Sequence, residues 1–368
     1  MKKSDRFRSV LIFGGAGFIG SNWAAHLLET TNAKVHVYDN LSRKGVRHNL
    51  DSLQKAAGKS GRLQITVGDV RDSATVERAV RNAIEIYNFA AQVAVTTSLV
   101  EPRLDYEVNV GGTFNILEAA RKSERRPFLL FTSTNKVYGD MNRCKLIETP
   151  KRYEYKETAG ISESQPLDFH SPYGCSKGAA DQYVRDYARM FDLPTVVLRM
   201  SCIAGPRQFG NEDQGWVAHF LYSALRGEPV FIYGDGRQVR DILCVNDLLQ
   251  AFEAVLAARP VTEGQIYNVG GGPDNTVSLL ELIEMVEELT GHKVRYRMED
   301  RRPGDQFIYV TDFGKIRQHT GWEPRYGVRE TLKEIYGWWR NHRQAFTTPA
   351  VLRPLTTPEL QEVPGTAA

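Results

Sequence analysis

The chain has 368 residues, enough for one large domain or two modest ones built around a substantial core. Its 47 Lys and Arg residues nearly balance 44 Asp and Glu residues, and the net charge of +3 argues against a nucleic-acid or anionic-membrane partner. Because no apolar run reaches the length of about 20 residues that spans a bilayer, and glycines interrupt the apolar start, we expect a soluble protein that is not exported.

Six short apolar segments within the first 200 residues are predicted strands. They alternate with helix-patterned segments and show little polar alternation, which is typical of parallel strands that helices cover on both faces. The pattern predicts an α/β fold with a Rossmann-type doubly wound parallel sheet. The predicted strands occupy residues 9–14, 34–39, 63–69, 84–90, 127–133 and 194–200.

The first strand-to-helix connection is rich in glycine. Gly14, Gly17 and Gly20 recur at three-residue intervals, which permits a tight turn and lets a pyrophosphate approach the backbone at the helix N-terminus. An ordinary strand-to-helix turn is the alternative for such a motif in isolation. Asp39 ends the second strand, where its carboxylate can bind ribose hydroxyls and would repel a 2′-phosphate. The combination predicts NAD as the cofactor, in preference to NADP.

The ends of the later strands supply further cofactor contacts. Asp69 and Val70 follow the third strand, where an adenine edge would lie, although Asp69 could equally cap the next helix. Small residues end the fourth strand and allow the backbone to approach the cofactor closely. The cationic Arg43 and Lys44 near Asp39 leave NADP open. Expected cofactor contacts beyond the glycines and Asp39 are Phe18, Ile19, Asn40, Ser42, Arg43, Asp69, Val70, Ala90, Ala91 and Gln92.

Tyr173 and Lys177 lie four residues apart, so a helix places both on one face. An ammonium one turn away would lower the pKa of the phenol, ordinarily near 10, and make it a usable acid and base. The motif occurs often by chance, but Pro172 restrains the helix start. In addition, Thr134 ends the fifth strand, on the edge where open α/β sheets bind ligands. We therefore predict Thr134, Tyr173 and Lys177 as catalytic residues.

These features occur together with the segment STNKVYG around Thr134 and a downstream RQVRD segment. In this combination the chain resembles the extended short-chain dehydrogenase/reductase superfamily, the nucleotide-sugar epimerases and dehydratases, over about residues 9–340. Segments 133–140, 167–183 and 207–220 resemble in particular the members that invert C2 of CDP-linked deoxyhexoses. The resemblance implies a tightly bound NAD, which Asn109 and the Tyr173 and Lys177 pair would also contact, and a CDP-sugar substrate.

Asn135 and Lys136 stand directly after Thr134. Sugar-nucleotide dehydratases of the superfamily typically have Asp and Glu there, which supply the acid and base that eliminate water. Without a carboxylate at either position, elimination lacks its proton-transfer groups. The resemblance therefore implies oxidation of a sugar hydroxyl, with Tyr173 as base, Lys177 holding the nicotinamide ribose and Thr134 bonding the reacting oxygen. Re-reduction on the opposite face would then invert the carbon and regenerate NAD.

The resemblance also indicates where the substrate binds. Arg240 and Arg302 match phosphate-binding positions of related epimerases, and Asp305 matches a residue that bonds the nucleotide ribose. Trp216 would pack against the base or lie in the core. Further expected substrate contacts are Thr134, Asn135, Lys136, Gln208, Val217 and Tyr233.

Beyond residue 200 the alternation changes. We expect an NAD-binding domain over residues 1–200, a smaller nucleotide-sugar-binding lobe over 201–345 with some segments crossing between the two, and a flexible tail over 346–368. Strands near 230–233 and 238–243 precede a predicted helix at 278–290, for which Ser278 is the expected N-cap. Cys202 and Ala204 occupy positions where many superfamily members have Asn and Tyr, which predicts altered sugar contacts.

Two amphipathic helices, at about 100–122 and 173–192, resemble the pair that commonly forms a four-helix contact, which implies a homodimer or homotetramer. Four scattered cysteines without CxxC spacing indicate neither a disulfide framework nor a metal site, so we expect a reducing cytoplasm. Two alternatives to the C2 epimerase remain. One is a UDP-sugar 4-epimerase, which shares every catalytic group, and the other is a non-catalytic NAD-binding scaffold.

Overall fold

The computed structural model describes residues 8–142, 144–302 and 304–347, and all six predicted strands are present in one sheet. The strands are β1 Ser9–Phe13, β2 Lys34–Asp39, β3 Leu63–Val67, β4 Glu85–Asn88, β5 Phe128–Thr134, β6 Leu146–Glu148, β7 Tyr153–Tyr155, β8 Thr195–Met200, β9 Cys202–Ala204, β10 Val230–Tyr233, β11 Val239–Cys244, β12 Ile266–Val269, β13 Thr276–Ser278, β14 Tyr296–Glu299 and β15 Ile308–Tyr309. The helices are α1 Phe18–Thr30, α2 Val46–Ala57, α3 Ser73–Val80, α4 Val95–Val100, α5 Pro102–Tyr106, α6 Gly112–Lys122, α7 Ser171–Phe191, α8 Trp216–Arg226, α9 Val245–Ala257, α10 Arg259–Thr262, α11 Leu279–Thr290, α12 Gly314–Thr320, α13 Val328–Asn341 and α14 Gln344–Thr347.

Seven strands form the central sheet in the order β12-β8-β5-β4-β1-β2-β3, and every neighbouring pair is parallel. The chain progresses outward from β1 in one direction and from β4 in the other. The connections that follow these two strands therefore diverge and leave a crevice at their carboxyl ends. This topology confirms the predicted Rossmann-type doubly wound fold.

The two faces of the sheet bury separate apolar layers. Because side chains alternate along a strand, Val10 and Ile12 of β1 enter the layer beneath α1, whereas Leu11 and Phe13 enter the opposite layer. The predicted burial on both faces is confirmed for β4 and β5, whose residues are all buried. It is wrong for β3, where Val67 is 51% exposed, because β3 forms the edge of the sheet.

The later part of the chain builds smaller sheets around β11, which pairs with β9, β13 and β15, and around the β10 and β14 pair. Helices α8, α11 and α13 enclose a separate core there. Ser278 is the N-cap of α11, as predicted: its hydroxyl accepts a bond from the Glu281 amide at 3.1 Å, and the Glu281 carboxylate accepts one from the Ser278 amide at 2.8 Å.

Strand β12 returns from this later part and pairs with β8 at the end of the central sheet. The sequence does not mark it as a strand of that sheet, because it has only four residues and runs directly into a glycine-rich turn. Its position was decided by pairing with a strand more than 60 residues earlier in the chain.

The two predicted amphipathic helices are also present. Residues 102–122 form one continuous helix from α5, a π-helical turn at Glu107–Gly111 and α6, and α7 packs beside it. Phe346 in α14 stacks on Phe209 at a ring separation of 5.0 Å, and the rest of the predicted tail, residues 348–368, lies outside the described residues. No helix within the described part of the chain is both long and apolar enough to cross a membrane.

Candidate active site

The turn between β1 and α1 brings three backbone segments into contact. A Cβ on Gly14, whose φ is +72°, would lie 2.8 Å from the Ala90 amide nitrogen, and a Cβ on Gly20 would lie 2.2 Å from the Gly14 carbonyl oxygen. Only glycine fits at these two positions. Gly17 is the N-cap of α1 and supplies no side-chain cap, which leaves the first amides of the helix for an anion. The turn therefore fits a pyrophosphate.

Asp39 closes the adjacent end of β2. Its carboxylate accepts bonds from the Ala16 amide at 3.0 Å and the Leu41 amide at 2.8 Å. These bonds fix the side chain beside the glycine turn, where a cofactor ribose would lie. Burial raises the pKa of Asp39, although the neighbouring amides partly oppose the shift.

A cavity of about 660 Å³ extends from the glycine turn to the end of β5. Almost all of the predicted cofactor contacts line it, namely Gly14, Gly17, Phe18, Ile19, Gly20, Asp39, Asn40, Ser42, Arg43, Asp69, Val70, Ala90, Ala91, Gln92, Tyr173 and Lys177. The α3 helix is capped by Asp72, and Asp69 instead pairs with Arg71, whose guanidinium lowers the pKa of Asp69 to about 2. The cap hypothesis for Asp69 is therefore wrong, and this carboxylate faces the cavity.

Asn109 lies behind the cavity wall. It accepts a bond from the Gln92 amide at 2.9 Å and donates to the Gln92 carbonyl at 3.0 Å, so it holds the backbone of a predicted cofactor contact. Asn109 also donates to Asp105 at 3.2 Å and to Ser176 on α7 at 2.9 Å. Sequence reasoning missed the fully buried Asp105, whose carboxylate also accepts a bond from the Gln92 side chain at 2.9 Å.

The three predicted catalytic residues meet where β5 and α7 converge. Thr134 ends β5, its hydroxyl accepts a bond from the Lys136 amide at 3.2 Å, and it lines the same two cavities as Tyr173. The Tyr173 amide donates to the Ser98 hydroxyl at 3.2 Å, which fixes the first turn of α7. Lys177 donates to the Thr132 carbonyl at 2.7 Å. The spacing of Tyr173 and Lys177 on one helix face thus places both at the carboxyl edge of the sheet.

The electrostatics of this pair differ from the sequence prediction. Burial raises the pKa of Tyr173 to about 12, with a smaller opposing effect from the Thr134 hydrogen bond, and burial lowers the pKa of Lys177 to about 7. The expectation that the ammonium lowers the pKa of Tyr173 is wrong, because the pKa is raised. The cost of desolvation is larger, and the ammonium is bonded to the Thr132 carbonyl.

A second cavity, of about 350 Å³, opens on the other side of Thr134 and Tyr173. It is lined by most of the predicted substrate contacts, which are Thr134, Asn135, Lys136, Trp216, Tyr233, Arg240, Arg302 and Asp305. Two predictions are corrected. Val217 is fully buried in the core around α8, because the residues of a helix that follow one another point in different directions. Gln208 lines the cofactor cavity instead.

Charged side chains of both signs line this second cavity: the cations are Lys136, Arg240 and Arg302, and the carboxylates are Glu212, Asp213 and Asp305. Arg240 donates to Asp305 at 2.7 Å, and the Lys136 ammonium lies 3.4 Å from the same carboxylate oxygen. Burial opposes the ionisation of Asp305, but Arg240 and Lys136 together hold its pKa below the ordinary value. Arg302 stacks over the Tyr233 ring at 3.7 Å and lies 3.4 Å from the Glu212 carboxylate.

The two departures from the superfamily pattern occupy different surroundings. Cys202 lines the cofactor cavity, and its sulfur accepts a bond from the Trp216 indole at 3.1 Å, whereas Ala204 is buried beside α8. This bond anchors the Trp216 ring, which lines the second cavity. Of the two alternatives for Trp216, contact with the base or a place in the core, its position combines features of both. Burial raises the pKa of Cys202 to about 12, so the thiol stays protonated.

The class of protein follows from how these parts are arranged. Tyr173 lines both cavities, Lys177 on the same helix lines the cofactor cavity, and charged side chains line the second cavity. The short-chain dehydrogenase/reductases that act on nucleotide sugars have this arrangement.

Comparison with known proteins makes the assignment specific. A family described as GDP-mannose 4,6 dehydratase matches residues 11–335, and the chain belongs to this family. It is 41% identical over 337 residues to the CDP-paratose 2-epimerase of Salmonella typhi, covering 89% of this chain and 98% of that protein. It is 32% identical to the dTDP-glucose 4,6-dehydratase of Salmonella typhimurium, covering 88% and 91%. The solved UDP-glucose 4-epimerase of Thermus thermophilus in complex with NAD has a TM-score of 0.74 and 32% identity, covering 90% and 99%.

Proposed function

We propose that this protein is an NAD-dependent epimerase that inverts C2 of a CDP-linked deoxyhexose. One observation carries the proposal: the cofactor cavity and the cation-lined cavity meet at Thr134 and Tyr173, and the two residues after Thr134 are Asn135 and Lys136. The site thus has groups for alcohol oxidation but lacks, at those positions, carboxylates that would drive elimination. The similarity to CDP-paratose 2-epimerase supports the choice of C2 and of CDP.

The glycine turn and Asp39 would hold NAD, which when bound would supply the hydride acceptor and donor for the sugar carbon. Tyr173 takes the hydroxyl proton as the ketone forms and gives it back when the ketone is reduced, so protons and electrons balance over a turnover. Thr134 orients the reacting oxygen, and Lys177 lies in the cofactor cavity to hold the ribose. Because burial raises the pKa of Tyr173, the phenol must lose its proton before it can act as the base.

The second cavity accounts for the nucleotide. Arg240 and Arg302 are the cations for the diphosphate, since guanidinium groups bind phosphate oxygens in pairs. The Tyr233 ring offers an aromatic surface for the base, and Asp305, which lines the same cavity beside Arg240, offers a carboxylate for the ribose hydroxyls. Arg302 lies 3.4 Å from the carboxylates of both Glu212 and Asp213, and we expect the diphosphate to displace these partners.

We also propose that the protein is a cytoplasmic homodimer or a larger symmetric assembly. The helix at 102–122 and α7 lie side by side and leave Tyr106, Phe114, Tyr183 and Phe191 exposed, an apolar surface suited to a second copy. Unpaired Cys144, Cys175, Cys202 and Cys244 fit a reducing compartment. Light scattering of the purified protein should give the mass of two or four chains, and a monomer at micromolar concentration would contradict the assembly.

The test of function is incubation of purified protein with CDP-, UDP- and GDP-hexoses in deuterated water, with NMR assignment of the inverted carbon. We expect inversion at C2 of the CDP-sugar without solvent deuterium at that carbon, because the hydride returns internally. Tyr173→Phe should lower kcat at least about 1,000-fold and keep NAD binding, whereas the exposed Tyr296→Phe should match the wild type.

Three results would decide against the proposal. Inversion at C4 of UDP-sugars alone would establish the 4-epimerase. Retained NAD without turnover of any nucleotide sugar would indicate a scaffold. Deuterium at the inverted carbon would show proton abstraction from carbon in place of hydride return.

A further inference from the structure

Lys136 connects the catalytic residues to the phosphate-binding end of the second cavity. It lies in the short 3₁₀ turn Asn135–Tyr138, and its amide donates to the Thr134 hydroxyl at 3.2 Å. Its ammonium lies 3.4 Å from the Asp305 oxygen that also accepts the bond from Arg240 at 2.7 Å. Lys136 thus contacts Thr134 through its backbone and Asp305, the partner of Arg240, through its side chain.

The charges in this cluster do not cancel. Arg240 alone pairs closely with Asp305, so the Lys136 ammonium is not needed to neutralise that carboxylate. Two cations against one carboxylate leave a surplus positive charge on the Thr134 side of the cavity. The Lys136 side chain is only 19% exposed, and burial lowers the pKa of its ammonium, which an arriving anion would restore.

The chemistry of the sugar explains why a cation is required there. The diphosphate is attached at C1, C2 is the adjacent ring carbon, and C4 lies across the ring. The nicotinamide and Tyr173 have fixed positions, so a sugar that presents C2 to them must bring its sugar-linked phosphate closer to Thr134 than a sugar that presents C4. A carboxylate beside Thr134 would repel a phosphate in that position, whereas an ammonium would bind it.

We propose that Lys136 is a regiochemistry-determining residue: its ammonium binds the sugar-linked phosphate on the catalytic side of Arg240 and thereby holds C2 at the reacting position. The inference rests on the proposed function, which it deepens. On binding, the phosphate replaces Asp305 as the partner of Lys136, and the carboxylate keeps its bond to Arg240. The reacting groups remain Tyr173 and Thr134, and Lys136 positions the substrate.

Binding of CDP and of CMP tests the contact directly, because CMP lacks the second phosphate. We expect Lys136→Met to weaken CDP binding to the NAD-loaded protein about tenfold or more, and to leave CMP binding within about twofold, as measured by calorimetry. Lys136→Arg keeps a cation and should retain most of the CDP preference. Lys151→Met, which removes an exposed lysine paired with Glu284, is the matched control and should change neither affinity.

Turnover tests the regiochemical role. With the CDP-sugar that the wild type inverts at C2, Lys136→Met should lose at least about tenfold in kcat/KM, with partial recovery in Lys136→Arg. An unchanged ratio of CDP to CMP affinity, or C2 inversion within about threefold of wild type, would overturn the proposal. An equal loss of CMP and CDP binding would do the same, since Lys136 would then support the pocket in general. If the wild type turned over no CDP-sugar, the proposed function would fail, while the CDP and CMP comparison would still decide the phosphate contact.

Discussion

Replacing Gly20 by alanine should displace the cofactor turn. The new Cβ would lie 2.2 Å from the Gly14 carbonyl oxygen and 2.7 Å from the Gly15 Cα, whereas ordinary contacts begin near 3.4 Å. The turn must therefore retreat by about 1 Å, the difference between 3.4 and 2.2 Å. Overpacking of this kind costs about 1–3 kcal/mol, and the better helix propensity of alanine returns about 1 kcal/mol. We expect a net loss in the free energy of unfolding of about 0–2 kcal/mol.

The same shift should weaken NAD binding about ten- to a hundredfold. Charge-assisted hydrogen bonds from the turn to a pyrophosphate are worth about 1.5–3 kcal/mol each, and a 1 Å displacement of the amides would forfeit at least one. The matched control is Gly337→Ala. Gly337 is an exposed position within α13, where an added Cβ meets nothing within 4 Å, so alanine should stabilise the protein by about 1 kcal/mol without affecting the cofactor.

Urea unfolding of the nucleotide-free proteins and fluorescence titration with NADH measure both quantities. The free energies of unfolding of the two variants should differ by about 1–3 kcal/mol in favour of Gly337→Ala. If Gly20→Ala were as stable as Gly337→Ala and bound NADH within twofold of wild type, the close approach of α1 to the Gly14 carbonyl would not govern the cofactor site.

Two further predictions concern buried charge. Burial lowers the pKa of His36, which bonds Thr66 at 2.8 Å, from 6.5 to about 4. The unfolded chain therefore takes up the proton first, and the free energy of unfolding falls as pH falls from about 6.5 to about 4. Between pH 7 and 4.5, the free energy of unfolding of His36→Gln, measured in urea, should fall by about 2–3 kcal/mol less than that of the wild type. Equal losses would contradict the assignment. Asp181 accepts two bonds from the buried Arg199 guanidinium, at 2.8 and 3.0 Å. Asp181→Leu should cost about 3–5 kcal/mol because it leaves the cation unpaired, and the double variant with Arg199→Met should cost less than that single change. A larger cost for the double variant would show that the charges are not what couples the two sites.

Much of the cofactor site could be predicted from local sequence. Gly14, Gly17 and Gly20 act through the backbone of one turn, and the four-residue interval between Tyr173 and Lys177 sets a common helix face wherever that helix lies. These signals depend on neighbours along the chain. The strand pattern likewise predicted the central sheet, because burial on both faces removes polar alternation from each strand separately.

Other features depended on segments that are distant in sequence. Strand β12 is four residues long and joins the central sheet by pairing with β8. Asp105 belongs to the site because its carboxylate accepts bonds from Gln92 and from Asn109, which also bonds Ser176 on α7. The direction of the Tyr173 pKa shift was mispredicted because desolvation depends on what the fold packs around the ring.

The amino-acid sequence by itself determined the doubly wound sheet and the glycine turn, since both follow from short-range spacing and from the apolar pattern of the strands. It also predicted the catalytic trio, with the help of the family resemblance. Only the tertiary structure decided that Lys136 and Arg240, which are more than 100 positions apart in the chain, both contact Asp305. The same holds for the burial of Val217 in the core. Side-chain distances across a cavity depend on how separate segments pack, and no local pattern encodes them.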